Sequence, residues 1–247
     1  MTYRLNKEFR TLKNEYISLL KEQRPIKGLK NVEAFKNKVF YALDKVEVEV
    51  VDNNKEAFKI EYGNKKLPRS TLIASTGTWY NCLGRKEGFC EICNFCYARS
   101  PEIMFKDILA SRIKKELIFR AFSSEKIAND IISQVKKGSK AIRFNEVGEM
   151  RHNKDLKKMI EISNIVYTEK GLKSYVYTHN KALKFDVEHN NLTINGSNFY
   201  KKGINNTYLV LNNEKEAPKG SKRCICNCKG CNLCLKDVGT LYEILRK

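Results

Sequence analysis

All nine cysteines of the chain fall in two short groups. The first is Cys82, Cys90, Cys93 and Cys96, spaced C-x7-C-x2-C-x2-C. The second is Cys224, Cys226, Cys228, Cys231 and Cys234, spaced C-x-C-x-C-x2-C-x2-C. Each contains C-x2-C-x2-C, a spacing that lets a short loop wrap three sulfurs around one cubane cluster while a nearby fourth cysteine completes it. In the second loop Lys229, Gly230 and Asn232 are unbranched at Cβ or lack it, which permits the wrap. Two [4Fe-4S] clusters would take eight thiolates: Cys82, Cys90, Cys93 and Cys96, then Cys224, Cys228, Cys231 and Cys234. Cys226 is the spare, because the other four repeat the first wrap more evenly. Zinc is the alternative, since four thiolates also suit tetrahedral Zn²⁺. Zinc more often uses two separated C-x2-C knuckles, and three cysteines within seven residues favour iron–sulfur.

A disulfide framework spreads its cysteines along a short secreted chain. Two tight clusters, after an opening MTYRLNKEFR with no apolar stretch, instead lead us to expect metal sites in a reducing cytoplasm. No run approaches the ~18 apolar residues of a membrane span, so no membrane partner is expected.

Other groups could do chemistry beside the cysteines. Arg143, Glu146 and Glu149 fall at the end of an expected strand, either as a solvated loop or as ligand contacts. His152 lies just beyond and suits acid–base work. Glu149 and His152 are thus the catalytic candidates. His179 follows Tyr177-Thr178 and has the same two readings, whereas His189 reads as structural. Trp79 and Tyr80 precede the first cysteine and either shield a cluster from water or stack on a base. The charge is strongly basic, 47 Lys+Arg against 28 Asp+Glu, net +19. Lys65, Lys66 and Arg69, then Lys136, Lys137 and Lys140, then Lys219, Lys222 and Arg223 form local runs. They are either a lysine-rich solvated surface or a face for RNA or DNA through counterion release. No single-strand-binding signature accompanies them.

The elements that must position these groups read as α/β. Residues 6–22 carry Phe9, Leu12, Tyr16, Leu19 and Leu20 at helical spacing, and a looser helix follows around 32–43. Val46-Glu47-Val48-Glu49-Val50 alternates, and with 57–62 across Asp52-Asn53-Asn54-Lys55 predicts a β-hairpin. Strands are expected at 70–74, 141–144, 174–178, 191–194 and 207–211. Helices are expected at 104–122, after a Ser123 or Ser124 cap, after an Asn153 cap, and from about Thr240. Strand and helix alternation predicts a mainly parallel sheet, partly barrel-like, with ligands at the carboxyl ends of its strands. Residues 1–69 would form a small N-terminal helix and β-hairpin extension, and 70–247 the α/β core.

Cys82 with Cys90-Glu91-Ile92-Cys93-Asn94-Phe95-Cys96-Tyr97-Ala98-Arg99 resembles the cysteine-rich signature of the phage gene-product-88 family, whose name implies no activity. The strand Ile142–Phe144 running on to Gly148-Glu149, the strand ending Tyr177-Thr178, and the cysteines 224–234 resemble further features of that family, over roughly 66–236. A wider similarity is to radical S-adenosylmethionine enzymes. Cys93-Asn94-Phe95-Cys96 is similar to the second half of their signature. Gly148-Glu149 resembles the pair that contacts the methionine amino group. The resemblance thus implies S-adenosylmethionine as a cofactor, with Gly148 and Glu149 as its binding residues; Arg143 joins them as a cofactor-binding candidate because the two loops are expected side by side. The chain departs from the pattern in two ways: Cys90 to Cys93 is one residue short, and Cys82 could fill the iron position that the cofactor needs. The expectation is a cytoplasmic iron–sulfur protein performing a redox or radical step on a nucleic acid or other anionic substrate. The alternative is a non-catalytic nucleic-acid-binding module with structural zinc or closed clusters.

Overall fold

The computed structural model of the chain describes residues 2–21, 31–52, 56–90, 96–225, 228 and 231–244. Cys93 and Cys226 therefore lie outside the described residues, as do the turn residues Asn53, Asn54 and Lys55. The described strands are β1 (Glu61–Tyr62), β2 (Thr71–Ala74), β3 (Ala141–Phe144), β4 (Lys173–Thr178), β5 (Leu192–Ser197), β6 (Asn206–Leu211), β7 (Lys222–Arg223) and β8 (Gly239–Ile244). They form one eight-stranded sheet in the order β1-β2-β3-β4-β5-β6-β8-β7. Only β1 runs antiparallel to its neighbour; the other pairings are parallel. The mainly parallel α/β sheet is therefore present. It is open, with β1 and β7 as its edges.

Helices cover one face of the sheet. They are α1 (Thr2–Lys21), α2 (Val32–Asp52), the short α3 (Leu83–Lys86) and α4 (Arg99–Met104), α5 (Lys106–Ala121), α6 (Ser124–Ile132) and α7 (Asn153–Lys170). Strand side chains alternate between faces. Leu72, Ile142, Phe144, Val176, Leu192 and Ile194 join the hydrophobic core with Leu109, Ile113, Ile127 and Met159 of the helices. The register sets Ile73, Arg143, Tyr175 and Thr193 side by side on the opposite face, and Tyr177, Asn195 and Asn206 one pleat further on. That second face is polar and aromatic, and it is where the cysteines gather.

Three expectations are corrected. Val46–Val50 is not a strand: α2 runs through it to Asp52. Phe35, Val39, Ala42, Leu43 and Val46 are buried at helical spacing, whereas Val48 is 61% exposed. A strand would have buried Val46 and Val48 alike. The antiparallel pair is instead β1 with β2, through Glu61↔Ile73 and Tyr62↔Leu72. The stretch from Thr240 is a strand, because β8 finds six parallel register partners along β6, from Asn206↔Gly239 to Leu211↔Ile244. Finally His152, not Asn153, caps α7: its Nδ1 accepts from the Asp155 amide at 3.3 Å. The Ser123 cap of α6 is as expected, accepting from the Lys126 amide at 3.2 Å. Among the described residues no helix is long and apolar enough to cross a membrane.

Candidate metal centre

The first cysteine loop leaves β2 at Ala74 and is pinned by buried polar groups. The Thr76 hydroxyl donates to Asn145 Oδ1 at 2.5 Å, tying the loop to the end of β3. Thr78 Oγ1 is bonded to the Tyr16 hydroxyl of α1 and accepts from the Asn81 amide at 3.0 Å. Glu102 of α4, fully buried, accepts from the amides of Trp79 at 2.7 Å and Tyr80 at 3.2 Å, and pairs with Arg112 at 2.8 Å. Burial pushes the Glu102 carboxyl up; Arg112 and the two amides oppose it. The Asn81 side chain donates to Glu116 of α5, whose carboxyl burial drives up to about 7. With its entry held this way, the loop presents Cys82 just before α3 and returns through Cys90, whose amide donates to Gly84 O at 3.1 Å. Buried uncompensated, any of these groups would be costly; paired, they fix where the loop emerges.

The second group lies on the polar face of the sheet. The Tyr177 hydroxyl and Cys234 Sγ are 2.7 Å apart. Asn195 Nδ2 donates to Cys234 O at 3.2 Å, and Asn206 Nδ2 to Lys236 O at 2.8 Å. The Val238 amide returns a bond to Asn206 Oδ1 at 2.8 Å. The Cys224 amide donates to Tyr242 O of β8 at 2.6 Å. Cys224, Cys228, Cys231 and Cys234 share a small pocket of about 40 Å³ with Thr71, Ala141 and Tyr175. Thr71 and Ala141 begin β2 and β3, so this group sits over the starts of the strands whose ends carry the first group.

Between the two lies a cavity of about 330 Å³. Cys82, Cys90, Cys96, Cys224, Cys228 and Cys234, six cysteines from both groups, line it together with Arg143, Asn145, Gly148, Glu149, Tyr177 and Trp79. Among the described residues none of these six is in a disulfide. Burial, with Cys82 and Cys90 close by, raises Cys96 to about 11. Burial likewise raises Cys234 to about 11, with Cys224, Cys228 and Cys231 adding to it. At neutral pH these are protonated thiols, so a metal must displace their protons to bind. Among the described residues no three potential ligands are already drawn in around a metal-sized gap. The donor chemistry nonetheless fits a thiophilic group: the described cysteines of each set are half-buried and close enough that each raises its neighbours.

Other candidates separate clearly. Glu149 is half-buried as a residue, but its carboxyl is enclosed. It accepts from Thr178 Oγ1 at 2.7 Å, the His179 amide at 2.7 Å and the Met150 amide at 2.9 Å. Burial still carries it up to about 7. Gly148 has φ +91°, and a Cβ there would stand 2.9 Å from Gly77 Cα. The loops after β2 and β3 thus cross at two glycines, and Gly148 is required for that crossing. His152 is not in this cavity: it lines an outer groove with Arg4, Arg151 and Lys158. His179 lines the cavity. His189 bonds Leu192 O at 3.0 Å and Gly203 O at 2.7 Å, a structural role. Trp79 lines the cavity, while Tyr80 stacks on Tyr16 in the core, centroids 5.4 Å apart. Lys66 reaches the cavity wall. Lys222 and Arg223 form the exposed edge strand β7, with Arg223 paired to Glu214 at 3.3 Å. The sequence reading missed Gly77, Asn145 and Tyr177 as site residues. Alternation along β3 and β4 would have placed Asn145 with Arg143, and Tyr177 with Tyr175; the Gly77–Gly148 crossing carries no local signal.

A family model described as Gene product 88 matches residues 45–233. No curated protein and no solved structure is matched by the chain.

Proposed function

Since the chain belongs to the gene product 88 family, we propose from the geometry of its cavity that it is an iron–sulfur protein whose two clusters face one small-molecule site. Cys82, Cys90, Cys93 and Cys96 would hold the first [4Fe-4S] cluster, and Cys224, Cys228, Cys231 and Cys234 the second. The supporting observation is that cysteines of both groups line the same cavity. Structural staples have no need to converge; centres that exchange electrons with one bound molecule do. Bound clusters supply one-electron chemistry. The activity read from this is a redox or radical step on a nucleic acid or other anionic substrate. S-adenosylmethionine fits the reading where Cys82 leaves one iron of the first cluster open, with Gly148 and Glu149 at the cavity wall beside it. Six parallel strands in chain order, interrupted only at the edge by β7, support a partial (β/α) barrel for this core,.

One observation favours a second reading. Cys82 shares the cavity wall with Cys90 and Cys96, so with Cys93 it can complete a four-thiolate site with no open position. Such sites, holding zinc or closed clusters, would make the chain a non-catalytic module that contacts RNA or DNA through Lys222, Arg223 and its other exposed basic runs. Anaerobic purification with iron, sulfide and zinc analysis separates the two. Iron and sulfide near four each per cluster are expected; zinc without sulfide overturns the first reading. With iron present, the EPR spectrum of the reduced protein is expected to change on adding S-adenosylmethionine. An unchanged spectrum removes that cofactor. For the second reading, affinity for RNA or DNA must fall with log salt, and a flat curve removes that partner.

A further inference from the structure

Arg143 and Asn145 stand two residues apart on β3 and its end, so both side chains point to the cavity face,. Arg143 Nε and Asn145 Nδ2 are buried without a hydrogen-bond partner among the described residues. Asn145 is only 4% exposed. Its backbone is left-handed, φ +49°, and Thr76 holds its Oδ1, which leaves the amide NH₂ for the cavity. Among the described residues no carboxylate comes within ion-pairing distance of Arg143. Its guanidinium lies over the Tyr177 ring, 5.4 Å from the centroid. Neighbouring carboxylates have other partners: Glu149 has its three donors, and Glu146 accepts from Asn64 and acts on Arg143 only through space. The outer groove differs, since its Arg151 already pairs with Asp155 at 3.0 Å. A half-buried cation with a buried Nε, and a buried amide, that both lack an acceptor among the described residues describe the complement of an anion,. The cavity, about 330 Å³, falls in the small-molecule range of roughly 300–1,000 Å³.

We propose that the cavity is an oxyanion site, in which the Arg143 guanidinium and the Asn145 amide hold the carboxylate or phosphate of a small molecule whose body lies among Tyr175, Tyr177 and Tyr208. This deepens the reading above and rests on the same cavity, but it holds whatever metal the cysteines take.

The test uses the purified full chain with its metal content measured. Inorganic phosphate and benzoate are titrated at constant ionic strength against chloride, following Trp79 fluorescence and the thermal midpoint. A saturable response to phosphate assigns phosphate esters, and one to benzoate assigns carboxylates. Arg143→Gln should weaken that response by roughly tenfold or more, the loss of a hydrogen bond to a charged group. Asn145→Asp is the second variant, because Asp tolerates the left-handed backbone. It gives Arg143 an internal counter-ion, so it should abolish the response and raise the midpoint in anion-free buffer. Absence of a saturable response in the unmodified chain overturns the proposal, as does an undiminished response in both variants. Metal loss from Arg143→Gln without any anion response assigns the guanidinium to the cysteine thiolates instead. A chain that proves to hold zinc yet still binds the anion removes the iron–sulfur reading and leaves this one standing.

Discussion

The two cysteine regions face one cavity but are held by different physics. The first hangs from buried charged groups: Glu102 with Arg112, and Glu116 near Arg120, reach it through Trp79, Tyr80 and Asn81. The second is laid on the sheet by neutral amides and a phenol: Asn195, Asn206 and Tyr177 bond its backbone and one of its sulfurs. A charged anchor in a low-dielectric interior is severe when broken, whereas a neutral one costs less per bond. The first region should therefore fail abruptly and the second by degrees.

The largest effect tests the charged anchor. Glu102→Ala strands Arg112 and two loop amides, and should cost about 3–5 kcal/mol in urea unfolding. The same variant should lose metal from the first group before the second. Equal loss at both groups would break the contrast.

Next is pH. Glu116 and Glu149 are both raised from about 4.5 to about 7 by burial. Between those values the unfolded chain has released these protons and the folded chain keeps them, so stability is full below about 4.5 and falls as pH rises towards 7. Each carboxyl contributes up to roughly 3 kcal/mol at 1.36 kcal/mol per unit. Unfolding measured across that window should show the decline. Glu116→Gln should flatten its share, and a curve unchanged by it would show that the charged anchor does not titrate as described.

The second region gives smaller effects. Asn206→Ala removes three bonds, to Asn195, Lys236 and Val238, and should cost about 1–3 kcal/mol. It should lower metal affinity at the second group alone. Tyr177→Phe deletes the contact to Cys234 and should cost about 0.5–1.5 kcal/mol. Its cleaner signature is faster loss of metal from the second group to a chelator, with the first unchanged.

Local patterns carried much of this into the sequence. The cysteine spacings, the β2, β3 and β4 segments, the Ser123 cap, and the shared face of the loops after β2 and β3 could all be read, because each depends on a few adjacent residues or on the ordering rule of α/β sheets. Val46–Val50 misled because a short alternating run satisfies both periods, and only the packing of Val39, Leu43 and Val46 against α5 decides for helix. Leu241–Ile244 misled because nothing local announces a parallel partner, and β8 is a strand through its register with β6. What no local pattern holds is the meeting of the two cysteine groups. It follows from a register that sets Arg143 beside Tyr175, and from a C-terminal loop folding back over Thr71 and Ala141.

That return path has a consequence in time. A ribosome releases Cys82 through Cys96 early, but the first loop waits for Glu102, Glu116 and Asn145 before it is secured. The second group emerges only after Tyr177, Asn195 and Asn206, the residues it docks upon, and its floor at Thr71 and Ala141 is then already laid. Synthesis thus delivers every residue that anchors the first group before the second group itself appears.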